Sequence, residues 1–297
     1  MNSSMTFSVV IVSLNGRERI AMPLDALAVC VPPADEVIIV DNGSTDGLSD
    51  FVASQYPWVK IVRAPRNLGF AGGNNLGIVN ATADVVVLLN DDTEPRANWL
   101  APMRDAFEKD RRLGIAGCLL LYPGGEKVQH RGGIVHANGL TDHAEWNAHW
   151  KETDAAPARI DAPYVTGAAM AIRRVVIDRV GMLDAGYWPI YFEEVDFCER
   201  ATRAGWGCAV IPGSVVIHHE SQTTVRFSAR FLKTYHRNRV RFLLKNRRLR
   251  GWLAALRAEV RWIVRHRPWD QLWPCALAYA WAPVHVADVL RERWNRR

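Results

Sequence analysis

The chain has 297 residues, of which 49% are hydrophobic and 23% are charged, the balance of a folded globular protein. This composition excludes disordered and fibrous proteins, and the length allows one large core or two smaller ones. The formal net charge is +6, but residues 226–297 hold 18 Lys/Arg against 4 Asp/Glu, whereas the first 225 residues hold 19 against 27.

The first apolar segment, FSVVIVSL at 7–14, predicts a β-strand. It lacks the basic start and the small-residue cleavage site of a signal peptide, so we expect no export. The five cysteines are scattered and form no CxxC pair, which argues against a disulfide framework and a zinc site. Together these features favour a cytoplasmic protein.

Short runs rich in valine and isoleucine alternate with segments long enough for helices. This alternation predicts βαβ units with a largely parallel sheet. The predicted strands are 7–14, 36–42, 58–64 and 84–91. Ligands of such sheets bind at the carboxyl ends of strands. Polar residues follow three of these strands, namely Asn15, Asp41 and the pair Asp91 and Asp92.

The segment VVVLLNDDTE at 85–94 passes from a buried strand directly into polar and acidic residues. Neighbouring carboxylates repel one another and lose solvation unless a cation or a polar ligand lies between them. A divalent cation that holds a phosphate-bearing ligand would satisfy them all. The alternative is a helix N-terminus, because TEPRANWLAPMRDAFEKD predicts a helix beginning near Pro95, which Asp92 or Glu94 could cap.

The segment RAPRNLGFAGGNNLGI at 63–78 is rich in small residues, which allow the backbone to approach a ligand closely. A plain turn is the alternative. Its glycines do not form GxGxxG after the first strand, and GxxxxGK does not occur in the sequence. The sequence therefore disfavours dehydrogenases and P-loop nucleotidases.

Four motifs, VIVSLN, VIIVDNGSTD, RNLGFAGGNNLGI and VVVLLNDDTEP, resemble in order and spacing the nucleotide-sugar-binding half of a family 2 glycosyltransferase. NLGFAGGNNLGI is most similar to the bacterial rhamnosyltransferase-like branch. The similarity runs from about Phe7 to Thr224. It implies an α/β protein of the GT-A fold, in which helices sandwich a mostly parallel sheet.

The resemblance also implies roles for the residues at the strand ends. Asp41 would contact the nucleoside. The DxD-type element, here Asn90, Asp91 and Asp92, would bind the diphosphate and a divalent metal, Mg²⁺ or Mn²⁺, with Asp92 as the metal ligand. Asn90 stands where a strict DxD motif has Asp. The other residues expected to bind the nucleotide sugar are Asn15, Asn42, Gly43, Asn67, Gly69, Gly72 and Asn75.

The second half of the chain contains a further acidic cluster. YVTGAAMAIRR at 164–174 predicts a strand around Gly167, and GMLDAGYWPIYFEEVDFCERATRAGW at 181–206 predicts a turn that leads into a helix. Glu193, Asp196 and Arg200 recur at helical spacing and share one face. An acidic first turn that complements the helix dipole is the alternative interpretation.

Sugar transfer requires a carboxylate that accepts the proton of the attacking hydroxyl. YFEEVDFCER is similar to the ED-type motif of the family, whose second acid is the base, which makes Glu194 the expected catalytic base. The family more often has Asp at this position. We expect Glu193, Asp196 and Gly167 to bind the acceptor or support the motif, and Arg200 to orient Asp196 by a salt bridge.

VIPGSVVIHHESQTT at 210–224 predicts a strand that ends in two histidines. A histidine there is either structural or a metal ligand, and neutral imidazole is a normal ligand of Mn²⁺. In the family a histidine after the ED-type motif can complete the metal site, so His218 is the expected ligand and His219 the alternative. Ser221 and Thr223 could contact the diphosphate.

Residues 226–297 form a basic tail with six of the 12 tryptophans. Their pattern predicts basic amphipathic helices that bind an anionic membrane surface. WPCALAYAWAPVHVADVL at 273–290 is interrupted by two prolines, His285 and Asp288, so it is expected to lie in the interface rather than to span it. The alternative is a helical subdomain that packs on the catalytic body or forms a homodimer contact. No nucleic-acid-binding motif accompanies the charge.

The sequence thus predicts a catalytic domain at 1–225, with a donor half at 7–95 and an acceptor half at 96–225, followed by the tail. The expected enzyme is an inverting, metal-dependent glycosyltransferase on the cytoplasmic face of the inner membrane. It would move a sugar, with rhamnose favoured, from a dTDP- or UDP-sugar to a glycan or lipid-linked glycan. A transferase of galactose, galactofuranose or N-acetylhexosamine, a nucleotidyltransferase, and a non-catalytic binding module remain alternatives.

Overall fold

The computed structural model describes residues 5–151, 158–219 and 228–294. Its strands are β1 Phe7–Ser13, β2 Glu36–Asp41, β3 Lys60–Arg63, β4 Val85–Asn90, β5 Thr93–Pro95, β6 Leu113–Leu121, β7 Val128–His130, β8 Gly133–Val135, β9 Thr141–His143, β10 Ile160–Asp161, β11 Ala169–Arg173 and β12 Gly207–His218. Its α-helices are α1 Ala21–Ala28, α2 Leu48–Gln55, α3 Gly69–Asn80, α4 Leu100–Lys109, α5 Arg174–Val180, α6 Glu193–Arg203, α7 Ala229–Asn246, α8 Leu249–His266 and α9 Trp269–Trp294.

One large sheet organises the molecule, with strand order β10-β12-β6-β11-β4-β1-β2-β3. Strands β3, β2, β1 and β4 run parallel, as the alternation of apolar runs and helical segments predicts. The side chains of β1, β2 and β4 are buried on both faces because helices cover both sides of the sheet, and two hydrophobic clusters pack there, whereas the edge strand β3 is partly exposed. Parallel strands place their carboxyl ends at one edge, which brings the ends of β1, β2 and β4 together.

The predicted helix start at Pro95 is wrong. Pro95 lies in β5, which pairs antiparallel with β12 through Val216, and the helix begins at Leu100. Proline is tolerated in such a short strand because it needs to supply few ladder hydrogen bonds. Asp92 and Glu94 therefore do not cap a helix, and the capping alternative for the acidic segment falls away.

The three C-terminal helices form a layer of their own, and α7 carries it onto the sheet domain. Eleven residues of α7 are buried, and Phe242 belongs to the same hydrophobic cluster as the α6 residues Val195 and Phe197. Helix α9 packs against α7 through a small cluster that includes Ala278 and Val289. Packing on the body, which the sequence left as the alternative, is thus the arrangement of α7.

Helix α9 contains Pro274 and Pro283. Among the described residues, every helix falls short of the length and apolar character that crossing a bilayer requires. All five cysteines are buried and free, as expected from their spacing. The predicted domain boundary at 225 and 226, together with Ser221 and Thr223, lies outside the described residues.

Candidate active site

The ends of β1 and β2 are joined by hydrogen bonds through Asn15 and Asp41. Asn15 has a positive φ of 50°, and its Oδ1 accepts a hydrogen bond from Thr45 N at 2.9 Å. Asp41 accepts hydrogen bonds from Ser44 N and the Ser49 hydroxyl. Burial alone would raise the pKa of Asp41, but these hydrogen bonds bring it below its ordinary value. Asp41 is therefore held as a carboxylate at the strand end.

Asn42 clamps the glycine-rich segment against β2. Its Oδ1 accepts a hydrogen bond from Leu68 N at 2.9 Å, and its Nδ2 donates to Asn67 Oδ1 and Gly69 O at 3.3 Å each. Gly43 has a φ of 85°, and a Cβ there would lie 2.7 Å from the backbone of Arg66. The close passage of these two segments requires glycine.

Three residues predicted to bind the donor, Gly69, Gly72 and Asn75, lie within helix α3. A Cβ on Gly72 would meet only Leu68 of the preceding turn. Asn75 exchanges two hydrogen bonds with the backbone of Leu183, at 2.8 and 3.1 Å. In this structure Asn75 fixes the loop that precedes α6.

The acidic residues after β4 divide into two environments. Asp91 Oδ2 accepts hydrogen bonds from Ser13 Oγ at 2.6 Å and Arg19 Nη2 at 2.9 Å. Burial nevertheless leaves the pKa of Asp91 raised. Asp91 thus joins β4 to β1 and to the loop that follows it.

Asp92 faces His218 from the adjoining strand end. Asp92 Oδ1 lies 3.1 Å from His218 Nε2, and both residues are 8% exposed. Asn90 Nδ2 lies 3.4 Å from the same ring nitrogen. Burial raises the pKa of Asp92, but His218 outweighs it and holds the pKa below its ordinary value. His219 points elsewhere, with Nε2 3.6 Å from Glu94 Oε2.

Gln129, on β7, orients the ring of His218. Its Oε1 lies 2.7 Å from His218 Nδ1, and its Nε2 donates to His218 O at 3.4 Å. The second bond fixes the amide so that its oxygen faces the ring, which makes Nδ1 the protonated nitrogen of the neutral imidazole. The lone pair then lies on Nε2, towards Asp92, as a metal ligand requires.

The pair of acids that begins α6 forms the other half of the site. Glu193 is 2% exposed, and one carboxylate oxygen each of Glu193 and Glu194 is buried without a hydrogen-bond partner. Burial, then the charge of Glu194, raises the pKa of Glu193 well above its ordinary value, and burial raises the pKa of Glu194 to about 7. Glu194 therefore exchanges its proton near neutral pH, as a general base should.

The backbone before α6 is strained. Tyr191 and Phe192 have positive φ angles of 84° and 78°, a conformation that costs free energy in bulky residues. Asn238 of α7 holds this turn by donating to the carbonyl oxygens of Tyr187, Ile190 and Tyr191 at 2.7 to 3.0 Å. Helix α7 thus fixes the direction in which α6 starts.

Asp196 anchors α6 to the C-terminal helices. It is 0% exposed and accepts hydrogen bonds from Lys245 Nζ at 2.7 Å, Asn246 Nδ2 at 2.8 Å and Arg200 Nε at 2.9 Å. The predicted salt bridge between Asp196 and Arg200 is present. Lys245 also pairs with Asp184 at 2.7 Å. We call Asp184, Asp196, Arg200 and Lys245 the anchor cluster.

One cavity of about 1220 Å³ contains both halves of the site. Asn90, Asp92 and His218 line it together with Glu193 and Glu194. Gly167 also lines it, where a Cβ would lie 2.9 Å from the ring of Phe70. Helices α7 and α8 close another part of the wall. Glu193 reaches the cavity, whereas Asp196 belongs to the anchor cluster and not to the cavity wall.

Protein groups alone do not complete a metal shell here. Within the part of the chain that the structure describes, no group of three or more His, Cys, Asp or Glu side chains gathers at metal-binding distances. Asp92 and His218 are a pair, and Asp92 Oδ1 has no hydrogen bond of good geometry. An acidic oxygen beside a correctly oriented imidazole suits Mg²⁺ or Mn²⁺ when phosphate oxygens and water supply the remaining ligands.

Sequence reasoning missed Gln129 and the basic residues of α7. Gln129 belongs to no recognisable motif, and its partner lies 89 positions away in the chain. Arg241 and Lys245 are one turn apart on α7, and both reach Asp184. Their spacing of one turn, beside the apolar residues Phe242, Leu243 and Leu244, was the available signal, since buried basic residues need acidic partners.

Comparison with known proteins gives a consistent result. The family model described as "Glycosyl transferase family 2" matches residues 8–181, more than half of the chain. The N-acetylglucosaminyl-diphospho-decaprenol L-rhamnosyltransferase of Mycobacterium tuberculosis is 28% identical over 262 residues, which cover 82% of this chain and 83% of that protein.

Solved structures share the fold. A GalNAc-T7 structure with UDP, GalNAc and Mn²⁺ superposes with a TM-score of 0.64 at 19% identity, covering 82% of this chain and 51% of that one, so this chain spans about half of GalNAc-T7. The mannosyltransferase PcManGT of Pyrobaculum calidifontis, in complex with GDP-Man and Mn²⁺, gives 0.56 at 17% identity over 98% of this chain and 80% of that one. The predicted fold class is confirmed.

Proposed function

The chain belongs to glycosyl transferase family 2 and is a glycosyltransferase, and we propose that it transfers a sugar with inversion from a dTDP- or UDP-sugar to a lipid-linked glycan in cell-surface polysaccharide synthesis. Rhamnose is the favoured sugar because the relative from Mycobacterium tuberculosis is a rhamnosyltransferase that covers most of both chains. The observation that carries the proposal is the single cavity shared by Asp92, His218 and Glu194.

The donor would lie across the carboxyl ends of β1, β2 and β4. Asp41, a carboxylate beside the Asn42 clamp, suits the hydroxyl and N–H groups of a nucleoside. Asn15, Gly43, Asn67 and Gly69 would shape the nucleotide pocket around it, and Asn90 would donate to the diphosphate. Asp91 would support this edge of the sheet through Ser13 and Arg19.

Asp92 and His218 would hold the divalent metal. A bound Mg²⁺ or Mn²⁺ supplies positive charge that stabilises a departing diphosphate. Gln129 keeps the lone pair of neutral His218 on Nε2, beside the Asp92 carboxylate. A metal bound there would supply the positive charge that a protonated His218 otherwise lends to Asp92. Asp92 thus presents a carboxylate oxygen, and His218 a ring nitrogen, on the cavity wall.

Glu194 would accept the proton of the acceptor hydroxyl. Burial raises its pKa to about 7, so its carboxylate is basic enough to take a proton and is still ionised in a useful fraction near neutral pH. Glu193 is kept protonated by its own raised pKa and would donate a hydrogen bond rather than remove a proton. Asp196 and Arg200 support α6 from behind.

We also propose that α8 and α9 bind an anionic membrane surface, which places the enzyme peripherally on the cytoplasmic face. Trp269 and Trp273 are 74% and 68% exposed. Exposed tryptophans beside arginines suit the interface of anionic lipids. The chain from residue 226 onward would then combine packing, through α7, with membrane contact through the two later helices.

The experiment for the proposed function is a donor screen by thermal shift, with and without Mn²⁺. A ligand at about 100 times its Kd adds roughly 2.7 kcal/mol of stability. A metal-dependent shift with one dTDP- or UDP-sugar, followed by release of the nucleoside diphosphate on addition of acceptor, is the expected result. Release of pyrophosphate would instead establish a nucleotidyltransferase, and no shift with any sugar nucleotide would favour a binding module.

A further inference from the structure

The cavity that contains Glu194 is also lined by basic side chains of α8. Arg261 and Arg265, one helical turn apart, lie on its wall together with Trp262. Asn90, Asp92 and His218, where the donor diphosphate and metal are proposed to bind, line the same cavity but belong to other elements than α8. Two cations on the wall of the cavity that contains Glu194 suit an anionic group on a bound substrate.

Both arginines are exposed, and a ligand that enters the cavity can reach their guanidinium groups. In residues 5–151, 158–219 and 228–294, neither Arg261 nor Arg265 pairs with a carboxylate, and the one hydrogen bond of Arg261 runs from Nε to Arg257 O at 3.3 Å. The acid of α8, Glu259, is taken by Arg239, with two contacts of 2.7 Å. Buried Lys245 of α7, in contrast, is paired with two aspartates.

The order of side chains around α8 gives the direction of the ligand. Leu253, Leu256, Val260 and Val264 form an exposed apolar stripe, in which Val260 and Val264 are 62% and 71% exposed. In an α-helix each residue follows the last by about 100°. Arg261 and Arg265 therefore stand between this stripe and the cavity wall at Trp262.

The apolar stripe, the arginine pair and the Glu194 carboxylate thus follow one another in the same order as the lipid, the diphosphate and the sugar hydroxyl of a lipid-linked acceptor. We propose that Arg261 and Arg265 bind the diphosphate of a prenyl-diphosphate-linked sugar acceptor, whose lipid lies along the apolar stripe and whose sugar reaches Glu194. Guanidinium groups bind phosphate oxygens through paired hydrogen bonds, and two arginines match a diphosphate. The inference rests on the proposed function for its acceptor sugar, but the diphosphate site itself is separable from catalysis.

The test is the double variant Arg261→Gln/Arg265→Gln against the matched control Arg250→Gln/Arg257→Gln. The control removes the same charge from the exposed surface of α8 at residues that do not line the cavity. Both variants are assayed with a short-chain prenyl-diphosphate-linked hexose in detergent and with the same hexose on an alkyl chain that lacks phosphate.

We expect the KM for the diphosphate acceptor to rise roughly 10- to 100-fold in the cavity variant, because the variant removes the charged hydrogen bonds to the diphosphate. The KM for the phosphate-free acceptor, kcat and donor-induced stabilisation should stay within about twofold of the parent protein, because the variant touches no donor group. An unchanged KM in the cavity variant, or an equal rise in the control, would overturn the proposal.

Two further experiments distinguish bilayer phosphate from acceptor phosphate, and the diphosphate site from the proposed transfer function. Binding to anionic vesicles without acceptor should fall about equally in both variants, because each removes the same charge from α8. A rise in the KM for the diphosphate acceptor that only follows this loss of vesicle binding, and is therefore equal in both variants, would overturn the acceptor site. Direct binding of a short-chain prenyl diphosphate, measured by calorimetry, requires no turnover. Binding that depends on Arg261 and Arg265 in a protein without transfer activity would refute the proposed function while upholding the site.

Discussion

Gln129 Oε1 lies 2.7 Å from Nδ1 of His218, and this contact determines which ring nitrogen faces Asp92. Replacing Gln129 by Met keeps the volume but removes the acceptor, so the proton of His218 is free to move to Nε2. We expect metal affinity to fall about 10- to 100-fold, as for other partners of metal-ligating histidines. The measurement is the Mn²⁺ concentration that half-saturates the donor-induced thermal shift.

The conservative variant Gln129→Glu provides the control for this prediction. Its carboxylate still accepts the hydrogen bond from Nδ1, so it should retain more of the metal affinity than Gln129→Met. Equal affinities in both variants and the parent protein would show that Gln129 has no part in orienting His218.

Glu194→Gln should lower kcat by about 10²- to 10⁴-fold, because the amide cannot take the proton of the acceptor. Donor-induced stabilisation should persist, since Glu194 is not among the residues at the strand ends. Glu193→Gln is the matched control: the raised pKa keeps Glu193 neutral, so an amide imitates it and kcat should stay within about tenfold. The reverse ranking of the two variants would exchange the roles assigned to these acids.

The pH dependence of transfer should follow the carboxylate of Glu194. Its pKa of about 7 predicts that kcat/KM for the acceptor rises with pH, with a slope of about one decade per pH unit below neutrality, and levels off above it. A profile that is flat from pH 5 to pH 8 would contradict the assignment of this base.

The same raised pKa makes the stability of the protein depend on pH. The folded-state pKa of Glu194 lies above the unfolded one, so folding takes up a proton between the two values, and stability declines as the pH rises from 4.5 to about 7. Glu194→Gln removes this decline. The Tm of the variant should therefore exceed that of the parent protein at pH 8 by more than at pH 5. A difference that does not change with pH would argue against a buried, titrating carboxylate.

Asp196→Ala should destabilise the protein by about 3 to 5 kcal/mol, because it leaves buried Lys245 short of one of its two partners and removes a buried ion pair. The free energy of unfolding in urea is the measurement. Glu199→Ala is the control on the same helix. Its partly exposed ion pairs with Arg203 and Arg247 should be worth about 1 kcal/mol or less.

Membrane binding is best tested on the surface of α9. Truncation before α7 would also remove Lys245 and Asn238, which the catalytic body needs. Trp269→Ala/Trp273→Ala should weaken binding to anionic vesicles without changing the Tm, because both side chains are largely exposed. Trp58→Ala removes an exposed tryptophan from the sheet domain and should leave vesicle binding unchanged. Undiminished binding of the double variant would assign α9 to a different partner.

The predictions from sequence were most accurate for segments in which the local pattern and the tertiary structure agree. The apolar runs that form β1, β2 and β4 are buried on both faces, so their character shows in any short window. Pro95 gave a wrong prediction because proline after acidic residues is typical of a helix start. The pairing of β5 with the distant β12 has no local signature. Gln129 and Lys245 were missed for the same reason.

The anchor cluster has a consequence for engineering. The charges that hold α6 in place come from both sides of the interface with α7, so a chimera that exchanges the C-terminal helices of two relatives would bring cations to aspartates they have not evolved with. Asp184 and Asp196 must travel with Lys245, or be replaced together with it. The C-terminal helices of this protein can therefore be transplanted only as a matched set that includes their electrostatic counterparts in the catalytic body.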